Sequence, residues 1–239
     1  MANSQIVSTH LPFSKRLLAK SLRLFFKLLY HQFAWLYDSV ASIVSLGAWQ
    51  RWVSTVLPYL DGPRTLEIGF GPGHLLVGLQ HKGIAPFGLD ESPQMTRIAR
   101  KRLLSLKPHP GIVRGEAEHL PFATESLDQV VMTFPAEFVL HQASLTEIKR
   151  VLVNDGKVVV LPVAWITGRR LWERFAAWVN HITGQAPEWD PRVLQPVNDL
   201  GFEVASQVVD LRSSKVLLIQ LTKSPANPGE WSSPGRILL

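Results

Sequence analysis

The sequence predicts an α/β protein built on a doubly wound, mostly parallel sheet, and three observations predict it. From Arg64 onward, short apolar runs alternate with segments of helical period, the pattern left by parallel strands and their crossover helices. The first of those runs leads straight into three alternating glycines and a helix, and the last two make a terminal strand pair. With 239 residues, 46% hydrophobic and 18% charged, the chain has apolar material for one packed core and too little length for two full enzyme domains.

Taken in order, apolar residues first recur at Leu18, Leu22, Phe25, Leu29, Phe33 and Leu36 with Lys20, Arg23, Lys27 and His31 between them. This spacing predicts an amphipathic helix over 13–36 with a basic flank. A second helix is expected over 38–57, burying Trp49, Trp52, Val53, Val56 and Leu57 and stopping at Pro58. The turn formers Asp61-Gly62-Pro63 then mark a boundary, so residues 1–60 read as a helical appendage and 61–223 as the main domain. In that domain strands are expected at 64–68, 85–89, 112–114, 127–133 and 157–161, with helices at 73–82, 93–106 and 145–152. An inserted amphipathic helix over 169–182, a crossover helix over 191–200 and strands at 202–210 and 215–222 follow. Residues 224–239, punctuated by Pro225, Pro228, Gly229, Pro234 and Gly235, are expected to form a flexible tail.

Composition removes several classes of function. The chain has no cysteine, and with it go disulfides, thiolate metal sites and a cysteine nucleophile. Its eight histidines are scattered without paired ligand spacing, so no metal is expected. The net charge of +6 is uneven: residues 1–60 hold six bases against the single acid Asp38, and the remainder holds 19 bases and 18 acids. A nearly neutral body offers no track for a phosphate backbone, so no nucleic-acid partner is expected. The first segment lacks the features of a secretory signal, and no run of about 18 apolar residues is free of charge. A cytoplasmic location is therefore expected, with peripheral membrane contact as an open alternative.

The sharpest chemical signal is Leu66-Glu67-Ile68-Gly69-Phe70-Gly71-Pro72-Gly73. Glycines there let the backbone turn tightly and approach a ligand, and the helix beyond presents N–H groups. The spacing is G-x-G-x-G, with His74 where a dinucleotide fingerprint would place its third glycine. A glycine-rich turn without a ligand is the competing reading. Asp90 ends the second strand, where a carboxylate can accept two hydrogen bonds from ribose hydroxyls; before Ser92-Pro93 it could also serve as a helix cap. Glu137 and His141 follow the fourth strand on the side where ligands gather, as substrate contacts or proton relays, or else as a surface acid and a helix-entry histidine.

Four blocks, LEIGFGPG at 66–73, GLDESPQMTRIAR at 88–100, GEAEHLPFATESLDQVV at 115–131 and EIKRVLVNDGKVVVL at 147–161, resemble the class I S-adenosylmethionine-dependent methyltransferases. The resemblance is to the branch of ubiquinone/menaquinone biosynthesis methyltransferases. It implies a Rossmann-like, doubly wound, seven-stranded sheet, mostly parallel with one antiparallel strand near the C-terminus, plus N-terminal helices. It also implies S-adenosyl-L-methionine as cofactor. Glu67 and the loop with Gly69, Phe70, Gly71 and Gly73 would hold its methionine end, Asp90 its ribose with Glu91 and Ser92 alongside, and Glu116 and Ala117 its adenine. Phe134, after the fourth strand, joins these expected contacts. The family commonly has Asp where this chain has Glu116, and a small residue or cysteine where it has Phe70.

The function so implied is methyl transfer to a small, lipophilic acceptor such as a quinone precursor or lipid. A nucleic-acid or protein methyltransferase is the first alternative, disfavoured because Thr133-Phe134-Pro135 stands where an N-P-P-[YF] motif would mark amino methylation. A cofactor-binding subunit without turnover is the second. The N-terminal helix has three readings: a lid over the cleft, an organelle presequence, or an interfacial helix in which residues 15–36 meet an anionic membrane.

Overall fold

Strand β1, Thr65–Ile68, is buried along its whole length, as a short strand covered on both faces must be when it lies at the centre of a sheet. In the computed structural model, which describes residue 45 and residues 47–135, 141–167 and 195–224, it pairs in parallel with β2, Phe87–Asp90, and β4, Leu127–Thr133. β3, Gly111–Arg114, extends one side, and β5, Leu152–Leu161, the other. Beyond β5 lies β8, Ser214–Lys223, antiparallel to its neighbours β5, β6 (Ala164–Ile166) and β7 (Phe202–Leu211).

The eight-stranded sheet has the order β3-β2-β1-β4-β5-β8, with β6 and β7 also on β8. β7 pairs with β8 along its full length, so β5 and β6 share the opposite edge, one beyond the other. Their break falls at Pro162, which has no N–H for the ladder, and the pairing slips one residue between Val160↔Ile219 and Ala164↔Val216. The expected seven-stranded, mostly parallel sheet with one reversed strand is thus present, its fifth strand extended by a short continuation.

Alternation along the strands sorts side chains into two cores, because neighbouring residues point to opposite faces. Val130, Met132, Val158 and Val160 pack with Leu145, Ile148 and Val151 of helix α4, which spans Gln142–Val151. Val131, Val159 and Leu161 point the other way, toward Trp52 and Val53 of α1 (Trp49–Ser54) and Leu75 and Leu79 of α2 (His74–His81). A smaller cluster joins Phe70 and Leu76 to Ala99 and Leu103 of α3, Pro93–Leu103. Helix α5 is Gln195–Asp199.

Local departures from expectation have physical causes. The helix expected to run to Leu57 ends at Ser54, and Pro58 sits in the first turn of a separate 3-10 segment, Leu57–Tyr59, where its missing N–H costs nothing. Leu152, expected to close the fourth helix, instead begins β5, with Asp155 in a left-handed conformation just after it. The side-chain amide of Gln129 fastens the entry to β1, accepting from the Asp61 and Gly62 N–H groups and donating to Tyr59 and Asp61. Trp52 Nε1 donates to Ser214 Oγ at 2.8 Å and ties α1 to β8. The expected helices over 13–36 and 169–182, Glu137, the start of the crossover helix and the tail from 225 onward lie outside the described residues. Among the described residues no helix is long and apolar enough to cross a membrane.

Ile148 is fully buried between α4 and the sheet. Ile148→Ala is expected to lower unfolding free energy by about 2–5 kcal/mol in denaturant titration, with the slope unchanged.

Candidate functional site

All the parallel strands end on one side of the sheet, and the loop after β1 stands where strand order reverses between β1 and β4. That crevice is the general ligand position in open α/β sheets. Gly69, Gly71 and Gly73 each have positive φ, which explains the residue type at all three positions. A Cβ at Gly69 or Gly71 would meet nothing within 4 Å, so this stretch of backbone is open to approach; one at Gly73 would meet Ala99 Cβ at 3.1 Å.

The glycine N–H groups are not spare donors. Gly69 donates to the Leu89 carbonyl at 2.7 Å, Gly73 to the Phe70 carbonyl at 2.9 Å and Gly71 to Asp90 Oδ2 at 2.8 Å. The loop therefore provides space and rigidity more than hydrogen bonds. Asp90, 2% exposed, is its fastening point: Oδ1 accepts from Ser92 N at 2.8 Å, and its backbone carbonyl accepts from Gly115 N at 3.1 Å. One residue thus joins the β1 loop, the start of α3 and the loop after β3. Ser92 is the N-cap of α3, its hydroxyl accepting from Met95 N at 3.3 Å.

Glu67 lies beneath the loop and is buried. The N-cap of α2 is Gly73, which has no side chain to offer, and the Glu67 carboxyl accepts from the Leu76 N–H in that helix's first turn. Burial pushes the carboxyl well above its ordinary range, the negative Asp90 adds to this, and the Leu76 bond opposes it. Glu67 Oε2 has no hydrogen-bond partner among the described residues. Phe70 turns its side chain into the α2–α3 interior, and a Cβ at Gly88 would lie only 2.8 Å from Phe70 Cδ1. The bulky residue at position 70 and the glycine at 88 therefore belong together.

At the ends of β2 and β3, Glu91, Arg114, Gly115, Glu116 and His119 line a cavity of about 340 Å³. Ala117 is buried beneath the same loop. This loop is clamped by α4: Glu147 Oε2 accepts from Leu120 N at 2.9 Å, and Arg150 donates to the Leu120 and Phe122 carbonyls and to Glu147. The Arg150 bond holds the Glu147 carboxyl below its ordinary value. At the end of β4, Phe134 has φ +50° and stacks on Trp49 with ring centroids 4.4 Å apart, with Trp52 at 6.2 Å. His141 occupies the N-cap position of α4, largely exposed, with Nδ1 3.5 Å from Glu118 Oε1.

The structure thus gathers Gly69, Gly71, Gly73, Asp90, Glu91, Ser92, Glu116 and Ala117 around one end of the sheet, with Glu67 below and Phe134 across the β4 side. The Glu147–Arg150 clamp and the Trp49–Phe134 stack were not assigned roles from sequence. An (i, i+3) pair of opposite charge on the fourth helix is the signal that could have found the clamp.

The chain is similar in sequence and fold to known proteins. Residues 66–160 match the methyltransferase domain family. Over 164 residues the chain is 27% identical to the ubiquinone/menaquinone biosynthesis C-methyltransferase of Bartonella quintana, covering 64% of this chain and 63% of that one. Over 139 residues it is 32% identical to the demethylmenaquinone methyltransferase of Thermotoga maritima, covering 56% and 59%. The chain spans less than two thirds of the length of either relative. The solved geranyl diphosphate C-methyltransferase of Streptomyces coelicolor shares the fold, with a TM-score of 0.54 at 15% identity over 72% of this chain and 74% of that one.

Two outcomes follow from the buried residues. Glu67 favours folding most below its ordinary value of 4.5 and loses that contribution as pH rises through its raised folded value. Thermal melts should therefore show the Tm of Glu67→Gln gaining on wild type as pH rises, whereas a constant difference would contradict the assignment. Gly88→Ala should destabilise by about 1–3 kcal/mol, and Phe70→Leu in the same chain should recover part of the loss.

Proposed function

We propose that the chain, whose residues 66–160 match the methyltransferase domain family, transfers the methyl group of S-adenosylmethionine to a small, lipophilic acceptor. The observation that carries this reading is the cavity of Glu91, Gly115 and Glu116 beside a glycine loop whose Cβ directions at Gly69 and Gly71 are open. The residues fit the cofactor: a carboxylate-rimmed cavity at the β2 and β3 ends suits a nucleoside, and the orphaned Glu67 Oε2 suits the methionine end. Bound there, S-adenosylmethionine supplies an electrophilic methyl group on a sulfonium.

The chain's own part is positioning and shielding. Asp90 holds the glycine loop and the start of α3 in register, and in this reading it meets the ribose at the end of β2, with Glu91 and Ser92 beside it. Arg150 and Glu147 fix the loop that carries Glu116 and Ala117 toward the adenine. Phe134, stacked on Trp49, forms an apolar wall at the β4 end that excludes water from the reacting centre. Methyl transfer from a sulfonium needs no obligatory base, so Glu137 and His141 are assigned to acceptor contact or proton relay.

A quinone precursor is the acceptor class favoured by the similarity to the two quinone methyltransferases. A lipophilic acceptor also suits the basic, aromatic stretch over residues 15–36, read as a contact with an anionic membrane from a cytoplasmic protein.

Calorimetric titration with S-adenosylmethionine tests the reading. Wild type should bind, Glu116→Ala should bind more weakly, and Asp90→Ala should lose about tenfold or more while still melting cooperatively. No binding to folded wild-type protein would return the glycine loop to a structural turn.

A further inference from the structure

The near balance of charge over the main domain conceals a local excess. Between residues 92 and 115 stand six bases, Arg97, Arg100, Lys101, Arg102, Lys107 and Arg114, and no acid. Arg97, Arg100, Lys101 and Leu104 follow one another at helical spacing along and just past α3, so they share one face. With Pro93, Thr96 and Arg114 they line a groove of about 390 Å³. Arg97, Arg100 and Lys101 are exposed and make no ion pair among the described residues, and Leu104 is 69% exposed at the groove's edge. Arg102, by contrast, is committed to the Pro72 carbonyl.

The C-terminal helix dipole accounts for Arg100 and Lys101 in the last turn but not for Arg97, while Arg114, from β3, lines the groove and donates through Nε to the Glu91 carbonyl at 2.9 Å. Placing Arg97 three and four residues from further bases costs a few tenths of a kcal/mol per pair in an isolated helix. An anion in the groove removes that repulsion. The walls are apolar and the edge is an exposed leucine, which suits an amphipathic phosphate better than a free one. Arg114 also lines the cavity of Glu91 and Glu116, so an anion here lies next to the candidate cofactor site.

We propose that the groove formed by Arg97, Arg100, Lys101, Leu104 and Arg114 docks the phosphate headgroups of an anionic membrane. This contact is distinct from residues 15–36 and does not depend on the methyl-transfer reading. Docking through α3 brings the rim of the cavity to the lipid surface.

The test is sedimentation of the full chain with vesicles of phosphatidylcholine alone and of phosphatidylcholine mixed with phosphatidylglycerol. Wild type should bind only the anionic vesicles, less tightly as salt rises. Each neutralisation among Arg97→Gln, Arg100→Gln and Lys101→Gln should weaken binding about fivefold, with circular dichroism and S-adenosylmethionine titration unchanged. Leu104→Ser should weaken it without altering the salt dependence. Lys20→Gln with Lys27→Gln serves as the comparison for the N-terminal stretch. The proposal is overturned if the variant that combines Arg97→Gln, Arg100→Gln and Lys101→Gln binds like wild type, or if only the N-terminal variant loses binding. It is also overturned if pyrophosphate or a short RNA hairpin binds the groove while wild type fails to sediment with the anionic vesicles.

Discussion

Two backbone N–H groups, of Gly71 and Ser92, converge at 2.8 Å on the buried carboxylate of Asp90, and the rest of the site depends on that convergence. Gly71 belongs to a loop of left-handed residues with little intrinsic preference for one shape, and Ser92 begins α3. The carboxylate fixes one against the other, while the Asp90 carbonyl adds the loop after β3 through Gly115. A charge-assisted bond in a dry setting is stronger than its neutral counterpart in water, and its loss leaves buried N–H groups unpaired. Three segments distant in sequence therefore depend on one side chain at the end of β2.

Glu67 completes the arrangement from below. It lies in the neighbouring strand, buried near Asp90, and the proximity of two acids is sustained because one of them is held toward its neutral form. Its bond to Leu76 supplies the cap that Gly73 cannot. Loop, α2 and α3 are then packed by Phe70, Leu76, Ala99 and Leu103, with Gly88 leaving the room that Phe70 fills. The loop's glycines leave it open above while these contacts hold it rigid beneath, and a site that aligns a reacting group needs both properties.

Much of this was legible in the sequence because it rests on periodicity. The alternation of Val130 to Met132 and Val158 to Leu161 gave strands buried on both faces, and the glycine spacing after Ile68 placed the loop. What escaped depends on partners remote in the chain. Nothing local says that Gly71 N–H is consumed by Asp90, or that Leu76 N–H in the helix expected to present such groups is taken by Glu67. The Arg150 clamp on residues 120 and 122, and the meeting of Trp49 with Phe134, require the tertiary fold. Leu152 read as helix because apolar residues at helical spacing precede it, yet pairing with Leu127 draws it into β5. The basic face of α3 was masked by summing charge over the whole domain rather than over one helix.

In the proposed function the Asp90 node is the frame on which a nucleoside cofactor rests, and a crystal structure of the chain with S-adenosylhomocysteine tests that reading most directly. It predicts ligand in the cavity among Glu91, Gly115 and Glu116, reaching over Gly69 and Gly71, with Asp90 still accepting from Gly71 N and Ser92 N. Ligand seated elsewhere, or bound only after Asp90 releases the loop, would contradict it.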